Sequence, residues 1–432
     1  MKLPRSAPAA SPQRVITFLK HRPIRVFCIL SALALANASV CAAAVGAPLP
    51  PWERGFLDIH QIATGRGNAA LIIGPDGTGI MIDAGAATGG PDVSCPPRPD
   101  ASRRPGEWVA RYALRQLKAT GRAELDFLVV THLHPDHLGA LTDGLPPSAR
   151  GDYALTGVTD LAEQLPIGVV IDRGFPDYAY PARWRAGFAT NYEAFIAARV
   201  KAGARCEVLR VGSNDQVFLQ RDAAQFPTFA VRNLAANGVV WSGRGTGTQT
   251  AVPALKTLAT ADYPDENMCS LALRLSYGKF DFYTGGDLHS DTWDGTQPWR
   301  DVETPVARAA GPVEVAVANH HAYFDAVGAE SVRALQPQVW VVPAWHITHL
   351  NIAGLERMLS ERLYSGPRDV FATDLMPATQ LNNQRFMAKV KSVSGHVVIR
   401  VAPGGESFRV FVTDNRDEMN TVKSVSGPYQ CR

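Results

Sequence analysis

Three histidines and one aspartate fall within six positions of this chain, directly after an apolar run. The run 125–130 (LDFLVV) is rich in residues that favour strands, so it predicts a buried strand. His132 and His134 follow two positions apart on extended backbone, which points both side chains to one side. A proline then ends the strand, and Asp136 and His137 begin the next turn of chain. The four side chains therefore reach one place from two directions.

Imidazole nitrogens and carboxylate oxygens are the ligands that zinc accepts, and manganese or iron can use the same groups. The chain has eleven histidines, and three of them lie in this cluster, which favours a metal site over a purely structural cluster. We predict two adjacent divalent ions, with Zn²⁺ as the first choice and Mn²⁺ as the alternative. The candidate ligands in this segment are His132, His134, Asp136 and His137.

Two later apolar strands also end in side chains that bind metals. The segment 266–284 predicts a hairpin around a glycine turn, and its second strand runs through two glycines into Asp287. The short strand 313–318 ends in the adjacent pair His320 and His321. Because ligands gather at the carboxyl ends of strands in layered α/β proteins, we expect Asp287 to lie beside the first cluster.

The pattern His-x-His-x-Asp-His after an apolar strand is the signature of the metallo-β-lactamase superfamily, and the chain resembles these binuclear metallohydrolases. The stretches LDIHQIATGRGNAALIIGPDGTGIMIDAG and NMCSLALRLSYGKFDFYTGGD are similar to the soluble hydrolase domains of DNA-uptake competence proteins. The resemblance covers about residues 56–413. It implies an α/β fold, specifically a four-layer αββα sandwich, with the metals at one edge.

The resemblance implies a role for each candidate residue. Asp287 bridges the two ions, and one ring of His320 and His321 completes the second site. Asp136 binds metal and orients the attacking water. His349 faces the cleft, where it donates a proton to the leaving group or holds an oxyanion; a surface-loop histidine is the alternative for this position.

One ligand of the superfamily has no counterpart here. Many members place a further histidine between the first motif and the bridging aspartate, whereas residues 138–286 contain none. Glu266 or Asn267 could fill that place with an oxygen atom, as could water. Asp83, at the end of another predicted strand, either supports the metal ligands or caps a turn.

The segment between the His132–His137 motif and Asp287 is about 150 positions long, so we expect it to contain helices and strands of its own. We interpret residues of about 145–265 as a large insertion in a single domain of residues 48–432. Within it, the stretch 175–185 is aromatic, basic and rich in turn residues, and Arg183 and Arg185 suit an anionic group of a substrate. An ordinary surface loop is the alternative for this stretch.

Residues 1–47 have the pattern of a signal peptide with a long basic leader. Six basic residues precede an uncharged run of apolar and then small residues. We predict cleavage at Ala42, Ala44 or Ala47, a secreted or periplasmic protein, and no transmembrane segment after the leader is removed. An uncleaved anchor and a lipid anchor at Cys41 are the alternatives.

The predicted mature chain keeps four cysteines. An even number in an exported protein allows up to two disulfides, and four free buried thiols are the alternative. The four residues are Cys95, Cys206, Cys269 and Cys431.

The net charge of +3 is too small to indicate affinity for nucleic acid or membranes. We therefore expect no stable nucleic-acid complex. The resemblance, the two arginines and the suitability of paired metals for in-line displacement favour a small-molecule or polymeric anionic substrate. Phosphodiester hydrolysis is the leading reaction. Amide or lactone hydrolysis, including that of β-lactams, is the enzymatic alternative, and an exported binding protein that has lost the chemistry is the non-enzymatic one.

Overall fold

Two nine-stranded β-sheets organise residues 44–432, the part of the chain that the computed structural model describes. The first sheet has the order β18-β17-β16-β1-β2-β3-β4-β5-β6 and the second has the order β15-β14-β13-β12-β11-β10-β7-β8-β9. The strands are β1 (Leu57–Gln61), β2 (Ala70–Ile73), β3 (Gly79–Ile82), β4 (Leu125–Val129), β5 (Ile167–Asp172), β6 (Arg205–Val208), β7 (Ala230–Ala236), β8 (Val239–Trp241), β9 (Thr248–Thr250), β10 (Ala272–Tyr277), β11 (Phe280–Thr284), β12 (Val315–Val317), β13 (Val339–Val342), β14 (Asp369–Ala372), β15 (Val390–Ser392), β16 (His396–Val401), β17 (Ser407–Thr413) and β18 (Val422–Gln430).

The inner faces of the two sheets share one apolar core. Alternate residues of each strand point to it, as the two-residue period of a strand requires. In β4, Phe127 and Val129 enter this core, whereas Leu128 is buried on the opposite face. Phe282 of β11 and Val341 of β13 enter the same core from the second sheet. The two sheets therefore pack face to face.

Helices cover the outer faces. A second apolar core joins the outer face of the second sheet, including Trp340, to α5, α6 and α7. On the first sheet, α1 buries Val109, Tyr112 and Leu117, and the Tyr112 hydroxyl contacts His60 Nδ1 of β1 at 3.0 Å. This arrangement confirms the predicted αββα sandwich. The helices are α1 (Pro105–Leu117), α2 (Pro135–Leu138), α3 (Val158–Gln164), α4 (Gly187–Lys201), α5 (Glu303–Ala310), α6 (Ala329–Leu335), α7 (Ile352–Met358) and α8 (Pro377–Asn382).

Parallel strands at the centre of each sheet fix where the loops meet. In the first sheet, β3, β4, β5 and β6 run parallel to one another. In the second sheet, β11, β12, β13 and β14 do the same. Parallel strands bring their carboxyl ends to one edge, so the loops after β3, β4, β11, β12 and β13 are available to build a common site.

The segment 145–265 contributes strands to both sheets. Its strands β5 and β6 extend the first sheet beyond β4, and β7, β8 and β9 extend the second sheet beyond β10. Its helices α3 and α4 lie on the side of the ligand turn α2, with which both are in contact. This segment therefore forms one flank of the sandwich.

The amino-terminal end of the described region pairs with the start of β18. Gly46 N donates to Val422 O, and Val422 N donates to Ala47 O, both at 2.8 Å. Residues 1–43 of the predicted leader lie outside the described residues. In the part of the chain from 44 to 432, no helix is long and apolar enough to cross a membrane.

Of the two alternatives for the cysteines, the structure shows free thiols at Cys95, Cys206, Cys269 and Cys431.

Candidate metal centre

Two groups of metal-binding side chains lie at the edge where the parallel strands end. The first group contains His132, His134 and Asp287, and within it one donor atom of each residue lies within 4.8 Å of the others. The second group meets the same distance limit and contains Asp136, His137, Asp287 and His321. Six of the seven residues proposed as ligands are thus brought together, and only Asp287 belongs to both groups.

Short distances between donor atoms define the first group. His132 Nε2 lies 2.9 Å from His134 Nδ1 and 3.7 Å from Asp287 Oδ2. The β4 strand and the proline after His134 produce this arrangement, because the first two rings leave extended backbone on one side before the chain turns.

The second group is equally close. His137 Nε2 lies 3.1 Å from Asp287 Oδ1 and 3.3 Å from His321 Nε2. His321 Nε2 lies 3.1 Å from Asp136 Oδ2. Asp287 therefore turns one carboxylate oxygen to each group, which is the geometry of a carboxylate that bridges two ions.

These spacings fit divalent ions. Donors bound tetrahedrally at 2.0–2.1 Å from one ion lie about 3.3 Å apart. The donor distances of 2.9–3.3 Å between His132 and His134, and between His137 and His321, agree with that value. Imidazole and carboxylate donors also match the preferences of zinc and manganese.

The rings of three candidate ligands, His132, His137 and His321, are held through their second nitrogen atoms, as is usual for metal-binding histidines. His137 Nδ1 lies 2.7 Å from Asp83 Oδ2. His132 Nδ1 lies 3.2 Å from Thr131 Oγ1, and His321 Nδ1 lies 2.8 Å from Pro343 O. In each case the second nitrogen leaves Nε2 to face the centre.

Asp83 contacts three residues of this supporting network. It is fully buried and follows β3 with a φ of +59°. Its carboxylate accepts hydrogen bonds from Asn68 Nδ2 at 2.8 Å and from Thr131 N at 2.7 Å, besides its contact with His137. Of the two interpretations of Asp83, the structure favours the first, since its carboxylate lies behind the candidate ligand His137. Its bond to Thr131 N also fixes the loop after β4.

The buried carboxylates and imidazoles of the centre shift one another's pKa. Burial works against a charged ring, yet the carboxylates of Asp287, Asp83 and Asp136 raise the pKa of His137 well above its ordinary value. Burial likewise opposes ionisation of Asp287, but His137 and His321 hold the pKa of that carboxyl well below its ordinary value. Since metal ligands must be deprotonated, an ion entering here would compete with a proton for His137.

His349 lies beside this centre. Its ring stacks on that of His321 with centroids 4.4 Å apart and an interplanar angle of 7°. The backbone N–H groups of Trp345 and His346 point at His349 Nδ1 from 3.3 Å. Burial lowers the pKa of His349 well below its ordinary value, so the ring is neutral. A neutral ring that accepts at Nδ1 carries its proton on Nε2 and is a hydrogen-bond donor.

The loop 175–185 reaches the centre through a residue that the sequence did not single out. Arg183 is half exposed and pairs with Glu193, and Arg185 is exposed. Trp184, between them, sets its ring edge-on to His134 with centroids 5.3 Å apart and continues to Phe188 at 5.0 Å. The only signal for this contact is the aromatic content of the loop.

Glu266, one of the two candidates for the missing ligand, is occupied elsewhere. Its carboxylate forms a bidentate pair with Arg173, and Oε1 accepts from Leu133 N at 2.8 Å. Both side chains are buried, with 2% of Arg173 and 8% of Glu266 exposed. Glu266 therefore holds the backbone between His132 and His134.

Part of the chain is similar to a known protein family. Residues 63–144 match the family model described as Metallo-beta-lactamase superfamily. This segment of the chain is therefore similar to the metallo-β-lactamase superfamily. The matched segment includes Asp83 and the ligands from His132 to His137, whereas Asp287 and the histidine pair lie beyond it. No curated protein matches the chain.

The superfamily match and the histidine–aspartate cluster together support a metal-dependent hydrolase. Members of the superfamily typically bind divalent metals, and the groups around Asp287 could hold them.

Proposed function

We propose that this protein is a binuclear metal-dependent hydrolase of phosphodiester-type substrates, with Zn²⁺ as the preferred ion and Mn²⁺ as the alternative. The shared carboxylate of Asp287 carries this proposal, because its two oxygens face two separate donor groups. His132, His134 and Asp287 would hold one ion, and Asp136, His137, Asp287 and His321 would hold the other. When bound, two such ions supply Lewis acidity and lower the pKa of water, which suits in-line displacement at phosphorus.

The side chains around the ions have separate tasks. Asp136 is ionised, because His137 and His321 overcome the effect of burial and lower its pKa. It would orient the attacking water as a hydrogen-bond acceptor. His349 would present Nε2–H to the substrate oxygen that gains negative charge, and its neutral ring favours this role over that of an acid.

The substrate would lie between the aromatic loop and the histidine turn. Trp184 forms a wall beside His134, and Tyr323 packs on His320 with ring centroids 5.2 Å apart. Arg183 and Arg185 remain our candidates for an anionic group of the substrate. To serve in this way, Arg183 would exchange its partner Glu193 for the substrate.

The reaction class can be tested with two chromogenic substrates under identical metal loading. We expect hydrolysis of bis-p-nitrophenyl phosphate to exceed that of a chromogenic cephalosporin. The reverse preference would reject phosphodiester hydrolysis in favour of amide or lactone hydrolysis. Turnover no faster than that of Asp136→Ala would favour the binding-protein alternative.

The role of His349 has a matched control in the same loop. His346 is partly buried, and its Nδ1 contacts Thr348 Oγ1 at 2.9 Å rather than the centre. We expect His349→Ala to lower kcat about 10²–10³-fold with little change in KM, as for loss of an oxyanion donor. His346→Ala should leave kcat within a few-fold of wild type. Equal effects of the two substitutions would remove His349 from the reaction.

We further propose that the protein is exported to the periplasm or the medium. The basic and then apolar pattern of residues 1–47 supports this. Intact-mass analysis of protein recovered from a cell fractionation would give the new amino terminus. Recovery of the full-length chain in the cytosolic fraction would reject export.

A further inference from the structure

The two histidines of the adjacent pair face different oxygens of the same carboxylate. His321 Nε2 lies 3.6 Å from Asp287 Oδ1, the oxygen that also faces His137. His320 Nε2 lies 3.8 Å from Asp287 Oδ2, the oxygen that also faces His132. His320 is therefore on the side of the first group, which has three donors where the second group has four.

The backbone of the turn 319–322 produces this divergence. His320, His321 and Ala322 all have positive φ, at +47°, +51° and +57°. Positive φ is uncommon for residues other than glycine, and such conformations persist where the surroundings require them. The turn separates the two ring centroids by 6.5 Å, although the residues are adjacent in sequence. One turn thus supplies a ring to each side of Asp287.

His320 is held in the same way as the other ligand rings. Its Nδ1 lies 2.8 Å from Asp325 Oδ1, so Nδ1–H can donate to that carboxylate while Nε2 is the atom directed at an ion. This is the arrangement that Asp83 gives to His137.

Asn267 faces the same point. Its amide nitrogen lies 3.4 Å from His320 Nε2, close to the spacing of two donors on one ion. Its Oδ1 is buried and has no hydrogen-bond partner among the described residues. A half-turn of the amide exchanges these two atoms and sets Oδ1 beside His320 Nε2. Glu266, the other oxygen donor at this place, is already paired with Arg173.

We propose that His320 and Asn267 complete the first metal site in place of the histidine that residues 138–286 lack. Asp325 orients His320 for this task. The inference rests on the proposed binuclear function and assigns both histidines of the pair, one to each ion. It predicts a first site with three imidazoles, one carboxylate oxygen and one amide oxygen. Such a mixed set suits zinc or manganese.

Metal content of single variants tests this assignment without measuring turnover. Wild type and variants would be equilibrated with Zn²⁺, dialysed without chelator, and analysed by plasma mass spectrometry. We expect about two equivalents for wild type and about one for His320→Ala. A titration with Co²⁺, followed by its visible absorption, should show loss of one site in His320→Ala and of the other, spectroscopically distinct, site in His321→Ala.

Three further variants complete the design. Asp325→Asn should weaken the first site about 10–100-fold, as expected for a residue behind a ligand. Asn267→Ala should weaken the same site, and it tests the assignment if His320→Ala does not fold. His346→Ala is the control and should keep two equivalents.

Two different failures can be told apart. Two equivalents with wild-type affinities and an unchanged cobalt spectrum in both His320→Ala and Asn267→Ala would overturn this assignment and leave the binuclear function intact. Less than half an equivalent in wild type, unchanged after incubation with zinc and manganese, would reject the binuclear function and this inference with it.

Discussion

The buried pair of Arg173 and Glu266 provides a quantitative test of how the first ligand loop is held. Glu266→Ala removes the charge partner of a guanidinium that is 2% exposed and the acceptor of Leu133 N. Breaking a buried pair by removing one partner costs about 3–5 kcal/mol, since the remaining charge stays buried. Unfolding entropy near 2.1 cal/mol/K per residue gives roughly 0.8 kcal/mol/K for about 390 residues. We therefore expect Tm to fall by about 4–6 °C.

Differential scanning calorimetry in chelator-containing buffer would measure this shift without a contribution from bound metal. The double variant Arg173→Met/Glu266→Leu should lose less than Glu266→Ala, because no unpaired charge is left. Glu406→Ala, which breaks the exposed pair with Lys279, is the control and should not shift Tm measurably. A shift below 1 °C for Glu266→Ala, or a double variant less stable than the single one, would refute the reasoning.

Three further predictions concern other parts of the molecule. Asp83→Asn should weaken metal binding about 10–100-fold in a calorimetric titration, because His137 loses its carboxylate partner; unchanged affinity would contradict this. Burial raises the pKa of Asp374 to about 7, whereas an unfolded aspartate titrates near 3.9. Its stabilising effect is therefore present at low pH and lost as pH rises through 7, so Tm should fall from pH 5 to pH 8 more in wild type than in Asp374→Asn, and equal slopes would contradict this. Trp184→Ala should raise KM for bis-p-nitrophenyl phosphate several-fold with kcat little changed, and a loss confined to kcat would exclude a substrate wall at Trp184.

The first motif could be recognised because its ligands are local. His132 and His137 lie five positions apart, after a strand that the sequence predicts at 125–130 and the structure forms at Leu125–Val129. The strand-end position of Asp287 was also readable, since the apolar run before it ends at two glycines. Periodicity and chain-breaking residues carry this information without any long-range contact.

Long-range contacts decide the features that the sequence left open. Glu266 and Asn267 were equivalent candidates until Arg173, 93 positions away, proved to hold Glu266. The direction of each ring in the pair His320 and His321 depends on positive φ values, which are uncommon outside glycine, so the residue types alone do not predict that conformation.

The strand β18 and the wall at Trp184 illustrate the same point. Gly427 and Pro428 disfavour a strand, yet β18 forms because it pairs with β17 over much of its length. The contact of Trp184 with His134 joins a loop to a strand end 50 positions earlier. Local propensity contains neither contact, so only the assembled sheets reveal them.

The division of the ligands between the two sheets has a mechanical consequence. His132 and Asp136 follow a strand of the first sheet, whereas Asp287 and His321 follow strands of the second. An ion bound by such a set is a cross-link between halves of the chain about 150 positions apart, and it forms only after both sheets have docked. Metal binding at this site would therefore also strengthen the attachment of the two sheets to each other, and removal of the ions would weaken that attachment.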